Sequence, residues 1–170
     1  MLDQQSSDQH TAMAEKLARQ FYKVVPEGYK TFCAFTSHIT QQVLRHFGVP
    51  CHRVPCQVWY TQPQKIHVIG FLGKSNPGKW DGHMVCCTDT LLIDTAVYHF
   101  ERDFGVQVPW VILTRLFEFP STAIAHLSMG ATEGIWWHHP PAGADITPPE
   151  EPQDMVDLYA RQLIERLAAG

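Results

Sequence analysis

The chain has 170 residues, of which 45% are hydrophobic and 18% charged, and its formal net charge is −4. This composition excludes a disordered chain, and the length fits one compact domain. Nucleic-acid binding needs a basic face, and this acidic sequence shows no lysine or arginine cluster. We therefore expect no nucleic-acid partner.

The sequence also gives no sign of a membrane or secretory segment. No apolar run approaches the roughly 20 residues needed to cross a bilayer. The first residues, MLDQQSSDQHTAMAEK, are polar and do not resemble a signal peptide. We expect a cytoplasmic protein with no membrane partner. Its cysteines are odd in number, which favours free thiols over a disulfide framework; they stand at positions 33, 51, 56, 86 and 87.

Two amphipathic helices are predicted in the first fifty residues. The first runs from residue 7 to about residue 23, with an N-cap among the side chains of residues 6–8. The second begins near Thr31, which can act as its N-cap, and ends before Gly48. Cys33 then lies in the first turn of the second helix or just before it.

From residue 51 onward the pattern becomes typical of strands, with β-branched and aromatic residues between turn signals. Residues 139–154 contain five prolines and are predicted to form an arm without regular structure. The predicted elements are strands at 51–62, 65–71, 83–87 and 90–94, a loop at 72–82, a short helix at 96–105, an extended or mixed stretch at 108–119, and a hairpin of 121–128 with 134–139.

The last element is an amphipathic helix over residues 154–168, with Met155, Tyr159, Leu163 and Leu167 on one side. The order of helices and strands predicts an α+β fold, with helices flanking an antiparallel sheet. We expect a single domain over residues 1–170, with a core at about 28–138.

The hairpin of the two short strands places a possible acid–base pair. If Thr88 and Asp89 form the tip, His83 lies directly opposite Asp94, and Val85 lies opposite Leu92. Side chains in such positions have Cβ atoms about 5 Å apart, which suits a hydrogen bond from imidazole to carboxylate. A carboxylate on one ring nitrogen fixes the tautomer and leaves the other nitrogen free to act as a base.

Cys33 is the candidate nucleophile for that base. The positive end of a helix dipole favours a thiolate, and a neighbouring imidazole can take the thiol proton. The same residues also allow a structural interpretation, because a lone cysteine most often packs as a small apolar side chain. In that case the His83–Asp94 pair only supports the fold, and the protein is a non-catalytic binding module.

Three short segments resemble the transglutaminase-like branch of the papain-like thiol enzymes. They are the helix that Cys33 opens, the GH at His83 where a strand begins, and LLIDT with Asp94 on the next strand. The segment RHFGVPCHRVP is similar to the chain that follows the nucleophile helix in bacterial members. The likeness covers residues 28 to about 100.

The resemblance implies a Cys-His-Asp triad that transfers acyl groups without a cofactor. Cys33 would be the nucleophile, His83 the general base and acid, and Asp94 the orienting carboxylate. The substrate would be a peptide, an amide or another acyl compound, and the reaction would be hydrolysis, transamidation or acetyl transfer. One departure is Ala34, at a position where many members carry tryptophan or another bulky residue.

The remaining candidates are the lining of a substrate cleft and, less favoured, a zinc site. Trp80, Tyr60 and Asp81 are predicted to line the cleft, whereas the pair Trp136 and Trp137 could either line a cleft or seal the core. Zinc accepts nitrogen and sulfur ligands, but the sequence lacks the usual C-x2-C or H-x3-H spacing. The possible zinc ligands are His83, Cys87, Asp94, His99, His138 and His139.

Overall fold

A computed structural model of the chain describes residues 2–73 and 80–170. In these ranges the α-helices are α1 Leu2–Gln20, α2 Cys33–His46, α3 Tyr98–Phe104 and α4 Gln153–Ala169, and 3-10 turns cover Phe21–Lys23 and Glu27–Tyr29. The strands there are β1 His52–Gln62, β2 Lys65–Ile69, β3 His83–Cys87, β4 Leu91–Asp94, β5 Ile112–Arg115, β6 Ala123–Ser128 and β7 Gly134–His138.

The described strands form one antiparallel sheet in the order β5-β4-β3-β1-β7-β6, and β2 pairs with the second half of β1. An isolated bridge between Leu116 and Ala125 joins the two ends of this order, so the sheet nearly closes on itself. The backbone N–H of Phe117 donates to the carbonyl of Ile124 at 2.9 Å beside this bridge. The prediction of helices combined with an antiparallel sheet is therefore confirmed.

Alternation along the strands divides the apolar residues into two clusters. The helix-facing cluster packs α1, α2 and α4 against one face of the sheet, where it includes Cys86 and Ile93. The inner cluster fills the face that the sheet encloses, and it includes Cys87, Leu92 and Trp137. Successive side chains of a strand point to opposite faces. The prediction that Cys86 and Cys87 lie on opposite faces is confirmed.

The predicted start of the first helix is wrong, and the N-cap of the second helix lies one residue after Thr31, although Cys33 lies in the first turn as predicted. Helix α1 begins at Leu2, so the expected N-cap residues 6–8 lie inside it. Helix α2 begins at Cys33, and its N-cap is Phe32, without a side-chain cap bond. The preceding 3-10 turn explains this shift, because the N–H of Phe32 still donates to the carbonyl of Tyr29 at 2.9 Å. Thr31 therefore lies in the connection before the helix.

The β3–β4 hairpin also differs from its predicted register, by two residues. Cys86 lies opposite Ile93 and Cys87 opposite Leu92, so His83 is not directly opposite Asp94. The cause is the turn, in which the Thr88 hydroxyl accepts the N–H of Leu91 at 3.0 Å. The N–H of Thr88 in turn donates to the carbonyl of Leu91 at 2.9 Å. A shift of two leaves every side chain on its predicted face.

The proline-rich arm, residues 139–152, has neither helix nor strand, and contacts at Asp145 and Glu151 hold it against the rest of the protein. The carbonyl of Asp145 accepts the indole N–H of Trp80 at 2.8 Å. Glu151 pairs with Arg53, and its second oxygen lies 3.2 Å from Nδ1 of His38 on α2. The arm thus runs from β7 past Trp80 and α2 to α4. Among the described helices, none has the length and apolar character to cross a membrane.

Candidate active site

His83 and Asp94 form a buried hydrogen-bonded pair. The ring Nε2 of His83 lies 2.8 Å from Oδ2 of Asp94, and their residues are 2% and 0% exposed. Because the register is shifted, the two side chains meet diagonally across the hairpin rather than directly. Diagonal neighbours on one face remain within reach of long or aromatic side chains. The structure therefore brings together the pair that the sequence predicted, by a different geometry.

Asp94 receives two further hydrogen bonds. The indole Nε1 of Trp137 donates to Oδ2 at 2.9 Å, and the N–H of Ala96 donates to Oδ1 at 3.1 Å. Burial raises the pKa of Asp94, but the charge and hydrogen bond of His83 and the bonds from Trp137 and Ala96 outweigh it, so the net shift is downward. The site thus keeps a buried carboxylate ionised by surrounding it with donors.

Trp137 is a site residue that sequence reasoning left undecided between cleft and core. It is fully buried in the inner cluster, whereas Trp136 lies on the other face of β7 and stacks on His126 with ring centroids 4.0 Å apart. Alternation along β7 gives one inward and one outward tryptophan, and a buried indole N–H needs an acceptor. These two facts indicate a polar partner for one of the pair, but they do not identify Asp94.

The environment of His83 favours its charged form. Burial lowers its pKa, but the charge and hydrogen bond of Asp94, followed by the contact with Cys33, raise it to about 10. Nε2 is used by Asp94, so Nδ1 is the ring nitrogen left for the thiol. A proton held on Nδ1 can be donated to a leaving group, which is the property that a general acid needs.

Cys33 is the first residue of α2 and contacts the His83 side chain. It is 8% exposed, and its Sγ lies 3.8 Å from the carbonyl oxygen of Gly82. Met84, Ala96 and the half-buried Trp80 pack around it in a small cluster separate from the two main ones. The three predicted catalytic residues are therefore in contact at one edge of the sheet.

Backbone donors at the start of α2 lie next to the thiol. The first helical hydrogen bond runs from the N–H of Thr36 to the carbonyl of Phe32, at 2.9 Å. By helix geometry, the N–H groups that precede Thr36 have no acceptor within the helix. The N–H of Cys33 is one of these groups, so it is placed to stabilise negative charge on an oxygen that develops beside Sγ.

Hydrogen bonds between elements hold α2 against the end of β4. The Thr95 hydroxyl donates to the Thr36 hydroxyl at 2.9 Å, one residue after Asp94 and one helical turn after Cys33. The hydroxyl of Tyr22 donates to the carbonyl of Thr95. On the other side of the helix, Arg53 donates to the carbonyl of Ala34 at 2.9 Å. Helix α2 is thus fixed relative to the strand that carries Asp94.

His99 is a neighbour of the site that the sequence did not predict in this role. Its ring centroid lies 6.3 Å from that of His83, and its Nδ1 accepts a hydrogen bond from Nη2 of Arg102 at 3.1 Å. Burial, followed by the positive charges of His83 and Arg102, lowers the pKa of His99 to about 4. A neutral ring therefore stands beside the charged ring of His83.

The three predicted cleft residues lie in different places. Trp80 packs against Cys33, and its ring lies so close to Gly82 that a Cβ there would be 2.2 Å from Cζ2 of the indole. Asp81 lies between Trp80 and Gly82 in the sequence, and its backbone carbonyl accepts the N–H of Phe71. Tyr60 is buried in the inner cluster and donates its hydroxyl to Glu133 at 2.9 Å.

The strand register shows how far Tyr60 is from the site. Cys56 is the residue of β1 that pairs with His83, and Tyr60 lies four positions further along β1. At about 3.3 Å per residue, this separation is roughly 13 Å. The structure therefore brings Trp80, but not Tyr60, next to Cys33.

Metal ligands do not gather in the described residues: no three histidine, cysteine, aspartate or glutamate side chains there are placed to hold a metal ion. Every cysteine is a free thiol. Of the possible zinc ligands, His138 lies beside Trp59 with ring centroids 4.5 Å apart, and Cys87 is buried in the inner cluster.

The fold and this site define a class in physical terms: a mixed α/β protein in which a helix-start thiol meets a buried histidine–aspartate pair at the edge of a nearly closed antiparallel sheet. Comparison with known proteins adds no name to this class, since no protein-family model, curated protein or solved structure matches the chain. The resemblance to transglutaminase-like enzymes therefore stays an expectation from the sequence.

Proposed function

We propose that the protein is a thiol-dependent enzyme that hydrolyses amides or transfers acyl groups, on a papain-like, transglutaminase-like core. The observation that carries the proposal is the continuous contact from Cys33 through His83 to Asp94. A thiol is activated when the nucleophile contacts a base and the base contacts an orienting group. The buried state of the pair supports this function, because charged groups are seldom buried without a role in stability or chemistry.

In the proposed first step, the Cys33 thiol passes its proton to Nδ1 of His83, and the resulting thiolate attacks the carbonyl carbon of an amide or thioester. The S–C bond forms as the carbonyl π electrons move to oxygen, and this oxyanion is stabilised by the N–H of Cys33. When the oxygen lone pair re-forms the carbonyl, the bond to the leaving amine or thiol breaks. His83 donates its Nδ1 proton to that leaving group.

In the second step, a water molecule or an amine attacks the acyl-enzyme. Neutral His83 takes a proton from this nucleophile, the C–S bond breaks, and the thiolate of Cys33 leaves beside the imidazolium. Asp94 accepts the hydrogen bond from Nε2 throughout and stays ionised, consistent with the downward shift of its pKa. Every group that takes part in these two steps belongs to the chain, apart from the substrate and the acyl acceptor.

Alkylation with iodoacetamide at neutral pH tests the nucleophile. We expect one rapidly modified thiol per chain, located at Cys33 by peptide mapping and lost in Cys33→Ala. Cys86→Ala is the matched control, since Cys86 is fully buried and its pKa is raised by a hydrogen bond with Cys51 and by burial. Rapid modification of Cys86 with Cys33 left intact would contradict the proposal.

Turnover of an active ester separates an enzyme from a binding module. With p-nitrophenyl acetate, we expect a burst of nitrophenolate, an acetyl group on Cys33, and then steady release. His83→Gln keeps the thiol and approximates the size of the ring but lacks the base, so the steady rate should fall by about 100-fold or more. Equal steady rates for the two proteins would indicate that the pair is only structural.

A further inference from the structure

The proline-rich arm is anchored first at the indole that packs against the candidate thiol. The carbonyl of Asp145 accepts the N–H of the Trp80 indole at 2.8 Å, and this ring packs against Cys33. The same ring lies over Gly82, where a Cβ would be 2.2 Å from it. The carbonyl oxygen of Gly82 is in turn 3.8 Å from Sγ of Cys33. The indole therefore connects the arm to the groups that surround the thiol.

The second anchor of the arm is a carboxylate that binds next to the start of α2. One oxygen of Glu151 pairs with Arg53, and the other lies 3.2 Å from Nδ1 of His38. The same nitrogen of Arg53 donates to the carbonyl of Ala34, the residue that follows Cys33, at 2.9 Å. The Glu151 side chain is only 12% exposed, so solvent screens this ion pair less than an exposed one. The end of the arm is thus attached to the first turns of α2.

The segment between the two anchors is short and stiff. Oδ1 of Asp145 accepts the N–H of Thr147 at 3.0 Å, which fixes the turn beside the first anchor. Pro148 and Pro149 follow, and each proline fixes its own φ and restricts the residue before it to extended conformations. Such a segment loses little conformational entropy when both of its ends are held. Release of Glu151 should therefore also weaken the hold on the first anchor.

We propose that residues 145–151 form a strap that restricts access to Cys33. The strap holds the Trp80 indole against the thiol, which is only 8% exposed. When Glu151 leaves Arg53 and His38, the indole can move and open the site to a bulky acyl substrate. The inference rests on the proposed function, because it specifies how access to that same site is regulated.

Alkylation by a small and a bulky reagent tests the strap. Iodoacetamide and 5-iodoacetamidofluorescein carry the same reactive group, and the rate of each at Cys33 is divided by its rate with glutathione. In the parent protein we expect a bulky-to-small ratio well below one. In Glu151→Ala this ratio should rise about tenfold, since the loss of a hydrogen bond to a charged group shifts the opening equilibrium by about that factor or more. The ratio cancels any change in the intrinsic reactivity of the thiol.

Two further variants keep the test decisive. Glu150→Ala is the matched control, because it removes the same charge from the neighbouring, exposed position and should leave the ratio unchanged. His38→Ala removes one of the two partners of Glu151 and should raise the ratio by a smaller factor, which covers the case in which Glu151→Ala folds poorly.

The outcomes separate the strap from the proposed function. A ratio near one in the parent protein, a ratio unchanged in both anchor variants, or an equal rise in Glu150→Ala overturns the strap and leaves the proposed function intact. A raised ratio in Glu151→Ala supports the strap even if no variant turns over p-nitrophenyl acetate, and that absence of turnover would overturn the proposed function alone. Failure of Cys33 to react with either reagent in any of these proteins overturns both.

Discussion

The two faces of the β3–β4 hairpin bury their side chains in different ways. On the helix-facing side, Cys86 and Ile93 pack in a cluster of apolar residues and thiols. On the enclosed side, the apolar inner cluster is bordered by the ion pair of His83 and Asp94, with Trp137 as an additional donor. Removing a methyl group changes packing, whereas removing one partner of a buried ion pair leaves a charge without compensation. The two faces should therefore respond differently to small substitutions.

Substitution of Asp94 is expected to have the largest effect. Asp94→Ala leaves the imidazolium of His83 and the indole N–H of Trp137 buried without their acceptor. We expect a loss of about 3–5 kcal/mol in the free energy of unfolding, measured by urea denaturation. Asp94→Asn is the matched control, because its side-chain oxygen can still accept a hydrogen bond, so it should lose clearly less. Equal losses would mean that the charge of Asp94 accounts for the whole effect and that the retained acceptor does not contribute.

The stability that the pair provides should depend on pH in a defined direction. The pKa of His83 rises from its usual 6.5 to about 10, so its contribution is complete below pH 6.5 and is lost as pH rises toward 10. The pKa of Asp94 lies below its usual 3.8, so its contribution is complete above that pH and is lost in stronger acid. The difference in unfolding free energy between the parent protein and Asp94→Asn should be largest between these limits.

Urea denaturation of both proteins at a series of pH values measures this difference. It should narrow steadily from pH 6.5 to 10, and again as the pH falls below 3.8. A difference that grows between pH 7 and pH 10 would contradict the charged state of His83.

The neighbouring tryptophans of β7 allow the two faces of a second strand to be compared, because their side chains point to opposite faces. Trp137→Phe removes the N–H that donates to Asp94 at 2.9 Å, and we expect a loss of about 1.5–3 kcal/mol for a hydrogen bond to a charged group. Trp136→Phe keeps an aromatic ring for His126 on the outer face and should lose under about 1 kcal/mol. Urea denaturation of both variants gives the comparison, and a larger loss for Trp136→Phe would contradict it.

A methyl group at Gly82 is expected to have a smaller effect that is specific to the edge of the site. The added Cβ would lie 2.2 Å from the indole of Trp80, so the ring must move away from its place against Cys33. We expect about 1–3 kcal/mol of destabilisation and a change in the intrinsic tryptophan fluorescence. Gly130→Ala is the control, because no atom of the described residues lies within 4 Å of a Cβ there. Identical spectra for the parent protein and Gly82→Ala would show that Trp80 does not occupy this position.

The sequence predicted which face His83 and Asp94 share, because side chains alternate with a period of two. It did not predict their register. The Thr88 hydroxyl accepts the N–H of Leu91, and in the turn that this bond stabilises the strand pairing is shifted by two residues from the expected one. A shift by an even number preserves the faces, so the contact was predicted correctly from the wrong alignment. The N-cap of α2 was not predicted either, because the preceding 3-10 turn carries no strong cap signal.

Partners from distant parts of the chain were outside the reach of sequence patterns. Trp137 contacts Asp94 across 43 positions of sequence, and this contact depends on β7 pairing with β1. Neither periodicity nor turn chemistry specifies which strands pair across a nearly closed sheet. His99 was considered only as a metal ligand, because its distance from His83 depends on how α3 follows β4.

The arm between β7 and α4 should tolerate inserted residues. Its path depends on a few fixed points, at Asp145 and Glu151, rather than on regular structure. Doubling the length of a flexible loop costs only about 0.6 kcal/mol of closure entropy. Added residues near Gly143 would leave Glu151 free to reach Arg53 and His38, whereas a change at Glu151 would release the arm from α2. In a library of folded variants, the length of the arm should therefore vary freely, whereas Glu151 should be retained.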